Sequence, residues 1–134
     1  MNKLLNEKTN PKLLSPLTLA FVGDGVYDLL VREYLVDKAN RPVGELNKEK
    51  VKIVNCRSQS EAIKKILPNL TEEETSIFKR GRNASPKTTA KNSTVGDYHN
   101  ATGLEALFGY IYLKGDTHRL EEIFKMIVEN IDNF

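Results

Sequence analysis

Hydrophobic residues recur at spacings of three and four along most of the chain, which is the pattern of amphipathic helices. The first such segment runs from residue 16 to about residue 37, with Ser15 as N-cap and Pro16 in the first turn. Its sequence, PLTLAFVGDGVYDLLVREYLVDK, is apolar around most of the helix circumference. We expect the domain core to cover one side of this helix and a partner chain to cover the other. Gly23 and Gly25 within it indicate a close backbone contact.

A second helical region is predicted over residues 45–67, with a break near Ser58. Pro68 ends it, because proline cannot continue a helix. Thr71 and a glutamate three residues later form a capping box, which predicts a short helix to about residue 82. The core-facing positions expected in the second region are Leu46, Val51, Val54, Ala62 and Ile66.

Two more helices are predicted in the C-terminal part of the chain. The first covers about residues 97–114 and ends with Gly115 as its C′ residue, and the second covers about residues 117–131. Residues 83–96, rich in Pro, Ser, Thr and Asn, are predicted to form a mobile loop. Since no segment shows the period-2 alternation of a strand, the sequence predicts a single all-α domain.

Composition restricts the class of protein. A chain of 134 residues with 40% hydrophobic and 28% charged residues is typical of one soluble globular domain. The longest nearly apolar run, residues 17–22, is far shorter than the roughly 20 residues that span a bilayer. The polar N-terminus does not resemble a secretory signal. Cys56 is the single cysteine, which excludes an intrachain disulfide. We therefore expect a cytoplasmic protein with no membrane partner.

The net charge of +2 conceals a segregated distribution. Residues 75–96 contain five basic residues and no acidic one. A polyanion is therefore a candidate partner, although a merely solvated basic loop accounts for the charge equally well. The basic residues are Lys79, Arg80, Arg82, Lys87 and Lys91.

Asp24 lies among apolar residues of the first helix, where an unpaired charge costs several kcal/mol. Asp28 follows one helical turn later and shares its face. Two carboxylates on one face are tolerated in water or around a cation. Arg32, a further turn along, offers the alternative that the face is simply neutralised.

Glu105 is the second unusual carboxylate, because no other Asp, Glu, Lys or Arg lies between Asp97 and Lys114. If it met Asp24 from another helix, the two would form an oxygen-lined site suited to Mg²⁺, and the Thr102 hydroxyl would lie on the same face. A Glu that simply points outward is the alternative. The two histidines lack the spacing of a zinc site.

At these residues the sequence resembles a known family. LAFVGDGVYDLLVREYL is similar to the signature helix of the ribonuclease III family, and GLEALFGYIYLKGD is similar to its second acidic helix. KRGRNASPKTTAKNSTVGDY resembles the basic loop of the short members called Mini-ribonuclease III. The resemblance covers about residues 17–114, and the 19 residues after Gly115 lead us to expect no double-stranded-RNA-binding domain.

The resemblance implies a metal site with fewer carboxylates than the four of the full-length enzymes. Asp24 and Glu105 retain two of the positions and are the implied catalytic residues, whereas Ala20 and Thr102 occupy the other two. Glu61 matches a further family glutamate and is expected behind the metal ligands. For Asp28 we infer that it restores some of the lost negative charge.

The implied activity is endonucleolytic hydrolysis of double-stranded RNA with Mg²⁺, or Mn²⁺ as substitute, leaving 5′-phosphate and 3′-hydroxyl ends. The implied substrate is the precursor of large-subunit (23S) ribosomal RNA, with a ribosomal protein as a further partner. The expected RNA contacts are Lys79, Arg80, Arg82, Asn83, Lys87 and Lys91. The family also implies a homodimer packed through its signature helices, for which we expect Tyr27 and Val31 at the interface.

Two other functions are compatible with the sequence. Inactive ribonuclease III folds occur as ribosome-associated RNA-binding proteins, and the missing carboxylates fit such a role. A helical DNA-binding regulator is the other alternative, although the basic residues lie mostly in a predicted loop rather than on a recognition helix.

Overall fold

The computed structural model describes residues 3–5, 9–84 and 94–129, and within them it contains α-helices and single 3-10 turns but no strand. The predicted all-α fold is confirmed. None of the described helices is both long enough and apolar enough to span a bilayer. The helices are α1 (Pro16–Lys38), α2 (Val43–Val54), α3 (Cys56–Ile66), α4 (Glu72–Ala84), α5 (Val95–Lys114) and α6 (Thr117–Val128).

Local capping signals set the helix ends where the sequence predicts them. The Ser15 hydroxyl accepts a hydrogen bond from the backbone N–H of Thr18 at 3.3 Å, which starts α1. Thr71 and Glu74 form the capping box, since each side chain accepts from the other's backbone N–H, at 3.1 and 2.9 Å. Gly115 ends α5 in the left-handed conformation, with φ 85°. The side chains of Ser15, Thr71 and Glu74, and the backbone N–H of Gly115, satisfy backbone groups at the helix ends.

The break in the second helical region lies at Asn55 rather than at Ser58. The Asn55 side chain accepts from the Ser58 N–H at 2.9 Å and so caps α3, while α2 ends at Val54. Val51 is 58% exposed, so its predicted place in the core is wrong. The break changes the direction of α3 relative to α2. Core positions predicted from one continuous helical pattern over both helices are therefore not all correct.

The loop predicted over residues 83–96 is partly helical. α4 continues to Ala84, and α5 begins at Val95 with Thr94 as its N-cap. The Thr94 side chain accepts from the Asp97 N–H at 3.0 Å. The predicted mobility of residues 85–93 falls outside the described part of the chain.

Helix α5 lies at the centre of the fold, and α1, α3, α4 and α6 pack around it. The side of α1 that faces this core includes Tyr27 and Val31, which are 1% and 0% exposed. The expectation that these two side chains form a dimer interface is therefore wrong, because they are already covered within one chain. The second apolar side of α1 does exist and carries other residues. They are Leu17, Phe21, Leu29 and Val36, all exposed.

Helices α1 and α5 cross in direct backbone contact. A Cβ atom added at Gly23 would overlap the carbonyl oxygen of Glu105, and one added at Gly109 would overlap the carbonyl oxygen of Leu19. Each glycine thus faces the backbone of the opposite helix. The close contact expected from Gly23 is confirmed, and its partner is α5. The contact expected from Gly25 is wrong, since a Cβ added there would meet no described atom within 4 Å.

We predict that Gly109→Ala lowers the free energy of unfolding by about 1–3 kcal/mol, because a methyl group at this crossing forces the two helices apart. Chemical denaturation monitored by circular dichroism measures the effect. Gly44→Ala is the matched control, since a Cβ at Gly44 in α2 meets no atom of the described residues within 4 Å. Equal stability of the two variants would contradict the proposed role of the crossing.

Candidate functional site

The α1–α5 crossing brings Asp24 and Glu105 together. Asp24 directly follows Gly23 on an exposed stretch of α1, and Glu105 lies half-buried on α5. The two carboxyl groups are within hydrogen-bond reach of each other when Glu105 is protonated. The pair that the sequence singles out on two separate helices thus lies at a single place in the fold.

Burial and the neighbouring Asp24 charge raise the pKa of Glu105 to about 8, against a weaker opposing effect of a hydrogen bond from Gln59. A carboxylate pair of this kind is stabilised in its charged form by a cation. Two carboxylates completed by water are a ligand set that suits Mg²⁺. Within the described residues no third His, Cys, Asp or Glu joins them in a potential metal site.

Gln59 is a neighbour of the carboxylate pair that the sequence reasoning missed. Its side chain on α3 is only 3% exposed, and its Nε2 donates to Oε2 of Glu105 over 3.5 Å. The next residue, Ser60, accepts a hydrogen bond from the Asn100 amide at 3.0 Å. These polar contacts join α3 to α5 at the level of Glu105 and limit the orientations open to its carboxyl group.

The hydroxyl group of Tyr27 is buried, and it lies near enough to Glu105 to sense its charge. It has no hydrogen-bond partner among the described residues. Burial, and secondarily the charge of Glu105, raise its pKa well above the ordinary value of a tyrosine. Tyr27 therefore remains a neutral phenol, packed edge-on against Phe108 with ring centroids 5.1 Å apart.

Asp28 does not add negative charge to the pair, contrary to expectation. Its Oδ2 bonds Nε of Arg32 at 2.6 Å, and its Oδ1 lies 3.2 Å from Nζ of Lys50 on α2. Partial burial raises the pKa of Asp28, but the two cations outweigh it and hold that pKa below the ordinary value. With one carboxylate between two cations, this cluster carries a net charge of +1.

The two remaining predicted neighbours differ in their placement. Thr102 lies one turn before Glu105 and is 8% exposed, with its hydroxyl donating to the carbonyl of Tyr98 at 3.1 Å. Glu61 is exposed on α3 and lies 3.9 Å from Lys64. No contact described in the structure joins Glu61 to the carboxylate pair.

Part of the basic segment lies at the C-terminal end of α4. Lys79, Arg80 and Asn83 are exposed there, and the half-buried Arg82 lies over the ring of Phe78 at 5.4 Å. Their backbone comes close to α5, because Gly81 and Gly103 leave room for the two helices to pack. The predicted RNA contacts Lys87 and Lys91 are outside the described residues.

Comparison with known proteins identifies close relatives. The family model of the ribonuclease III domain matches residues 17–116. The chain is 48% identical over 119 residues to Mini-ribonuclease 3 of Thermoanaerobacter sp. (strain X514), covering 89% of this chain and 84% of that protein. It is 40% identical over 119 residues to Mini-ribonuclease 3 of Staphylococcus aureus, covering 87% and 89%. A crystal structure of a protein from Fusobacterium nucleatum is similar with a TM-score of 0.80 and 34% identity, over 87% of this chain and 89% of that one.

We predict that the metal-free protein loses stability as the pH rises from about 5 to about 9, and that Glu105→Gln removes most of this loss. The ordinary pKa of 4.5 is raised to about 8 in the fold, so between these values the folded protein holds a proton that the unfolded chain has released. The stabilisation that this bound proton gives is complete below the lower pKa and is lost as the pH passes the upper one. Its size is about 1.4 kcal/mol for each unit by which the pKa of Glu105 in the folded protein exceeds the pKa in the unfolded chain.

Urea unfolding in EDTA at several pH values measures the effect. Glu72→Gln, at an exposed position of α4, is the control and should follow the unmodified protein. If the free energy of unfolding of Glu105→Gln changed with pH in the same way as that of the unmodified protein, the raised pKa of Glu105 would be refuted.

Proposed function

The chain belongs to the ribonuclease III family of RNA endonucleases, and we propose that it cleaves double-stranded RNA with a divalent metal ion bound by Asp24 and Glu105. The observation that carries the proposal is the carboxylate pair at the α1–α5 crossing, where the charge on the half-buried Glu105 needs a compensating cation. Mg²⁺ is the proposed ion, with Mn²⁺ as a substitute, because both accept carboxylate and water ligands.

The side chains of the site have distinct tasks in the proposed reaction. The bound metal ion would polarise a phosphate oxygen and activate water for hydrolysis, giving 5′-phosphate and 3′-hydroxyl ends. Asp24 is exposed and can reach the RNA side of the site, whereas Glu105 must release its proton to act as a ligand. The Gln59 amide donates to Glu105 in its charged form and so favours that state.

The exposed end of α4 supports binding to the RNA backbone. Lys79, Arg80 and Arg82 lie there without an acidic residue between them, and duplex RNA is recognised largely through its shape and phosphates. We propose that Lys87 and Lys91 extend this surface. The substrate we propose, following the family resemblance, is the precursor of 23S ribosomal RNA in the cytoplasm, with a large-subunit ribosomal protein as an assisting partner.

The exposed apolar side of α1 supports a homodimer. Phe21 is 82% exposed and Leu29 is 55% exposed. Next to them a groove of about 1030 Å³ lies between α1 and α6, with Val26, Leu30 and Phe124 among its lining residues. A large apolar side chain beside an apolar groove is the arrangement that two copies related by a two-fold axis can bury reciprocally.

Asp24→Asn and Glu105→Gln should each lower duplex-RNA cleavage in Mg²⁺ by roughly a hundredfold or more, because the amides keep the shape of the carboxyl groups but lose the charge that binds metal. Single-turnover cleavage of a labelled duplex measures the rates, and circular dichroism checks folding. Glu72→Gln should cleave at the unmodified rate.

Near-normal cleavage by either variant would place the metal site elsewhere. An unmodified protein that binds duplex RNA but leaves it intact in Mg²⁺ would instead favour the alternative function, an inactive RNA-binding protein.

Phe21→Glu should convert the proposed dimer to a monomer, since burying a side chain of this size stabilises an interface by about 1.5–3 kcal/mol and a charge there opposes association. Sedimentation at micromolar concentration measures the mass. Val43→Glu, which changes an exposed residue of α2, should remain dimeric. A stable monomer for the unmodified protein would refute the dimer.

A further inference from the structure

Three charged side chains meet beside the carboxylate pair, where α2 contacts α1. Asp28 lies one turn after Asp24 on the same face, which places their Cβ atoms roughly 6 Å apart. Each oxygen of Asp28 contacts a different cation, Arg32 at 2.6 Å and Lys50 at 3.2 Å. The cluster thus fixes two cations on the carboxylate that lies one helical turn from Asp24.

The two cations are held differently, and both remain able to contact a ligand. The Lys50 side chain is 19% exposed, so its stem is packed while its ammonium group reaches Asp28. The Arg32 side chain is 56% exposed and contacts Asp28 through Nε. Among the described residues no hydrogen bond involves the two Nη groups of Arg32, which leaves donors of its planar fork for an anion.

We propose that Arg32 and Lys50, oriented by Asp28, bind a backbone phosphate of the RNA next to the cleavage site. The inference rests on the proposed function and adds to it the residues that set the position of the strand. A guanidinium group and an ammonium group together match the oxygens of a phosphate, and the cluster's net charge of +1 favours an anion.

The position of the cluster also answers an electrostatic problem of the site. Asp24 and Glu105 repel the RNA backbone as well as each other. A positive cluster one turn away lowers this repulsion at the point where the strand must approach most closely. A single cation would already neutralise Asp28, so the second cation leaves this cluster with a positive charge that an anion can use.

The test is the affinity for a duplex RNA of defined sequence in EDTA, where no cleavage occurs, at several KCl concentrations. Arg32→Gln and Lys50→Gln should each weaken binding by about tenfold, and the double variant should lower the log–log salt slope by about 0.9, the value for one phosphate contact on duplex DNA. Lys50→Arg should keep both the affinity and the slope, because the charge remains.

Lys52→Gln is the matched control on the same helix. Lys52 is exposed and lies 3.2 Å from Glu49, so its replacement should leave the affinity and the slope nearly unchanged. Arg32→Gln changes an exposed side chain and tests the proposal even if Lys50→Gln is unstable, which thermal unfolding reveals.

The outcomes separate the two proposals. No binding of duplex RNA by the unmodified protein would overturn the proposed function itself. Normal binding by the unmodified protein, with the same affinity and slope in the double variant, would overturn the phosphate site alone and leave the cluster as a structural link between α1 and α2. An equal loss of affinity in Lys52→Gln would also overturn the phosphate site, because the loss of affinity would then reflect the general surface charge rather than Arg32 and Lys50.

Discussion

The backbone contact between α1 and α5 is the constraint on which the rest of the structure depends. Gly23 and Gly109 allow the two helices to approach where any side chain would separate them. Asp24 follows the first glycine directly, and Glu105 lies one turn before the second. The contact that closes the centre of the fold therefore also sets the separation of the two carboxyl groups, so packing and chemistry share one geometric requirement.

No cation is among the described neighbours of Glu105, whereas a purely structural site would contain one. The described neighbours are the Gln59 amide, the buried Tyr27 hydroxyl and the carboxyl group of Asp24. Elsewhere the same fold pairs a buried carboxylate directly with a cation, as between Glu74 and Arg119 at 2.8 Å. The fold thus leaves one carboxylate pair uncompensated, and perturbed groups of this kind concentrate at functional sites.

Signals carried by a few consecutive residues made much of the fold predictable from the sequence. The caps at Ser15, Thr71 and Gly115 act within one helical turn, so they mark the helix ends without knowledge of the tertiary structure. The position of the break between α2 and α3 was not predictable in this way. Both Asn55 and Ser58 are plausible N-caps, and only the packing of α3 on α5 selects Asn55.

The site was predictable only in part. Asp24 and Glu105 stand out as charges within apolar helices, and the family resemblance implies that they belong to one site. Gln59 carries no such signal, since a glutamine in an amphipathic helix is ordinary until its burial is known. Tyr27 and Val31 face the core, and their expected place at a dimer interface is wrong. A helix that is apolar around most of its circumference does not reveal which side faces the core of its own chain.

A nuclease that acts on a polyanion faces opposing electrostatic demands, and the arrangement of charges in this fold addresses both. Carboxylates bind a metal ion but repel the RNA backbone, and each additional carboxylate increases that repulsion. In the proposed function the site keeps Asp24 and Glu105 alone, and oxygens of the RNA phosphate can complete the shell of the metal ion. The positive charges lie outside this pair, at the Asp28 cluster one turn further along α1 and at the C-terminal end of α4. In the proposed function, binding of the RNA and binding of the metal ion would support each other, because each would supply charge or ligands that the other lacks.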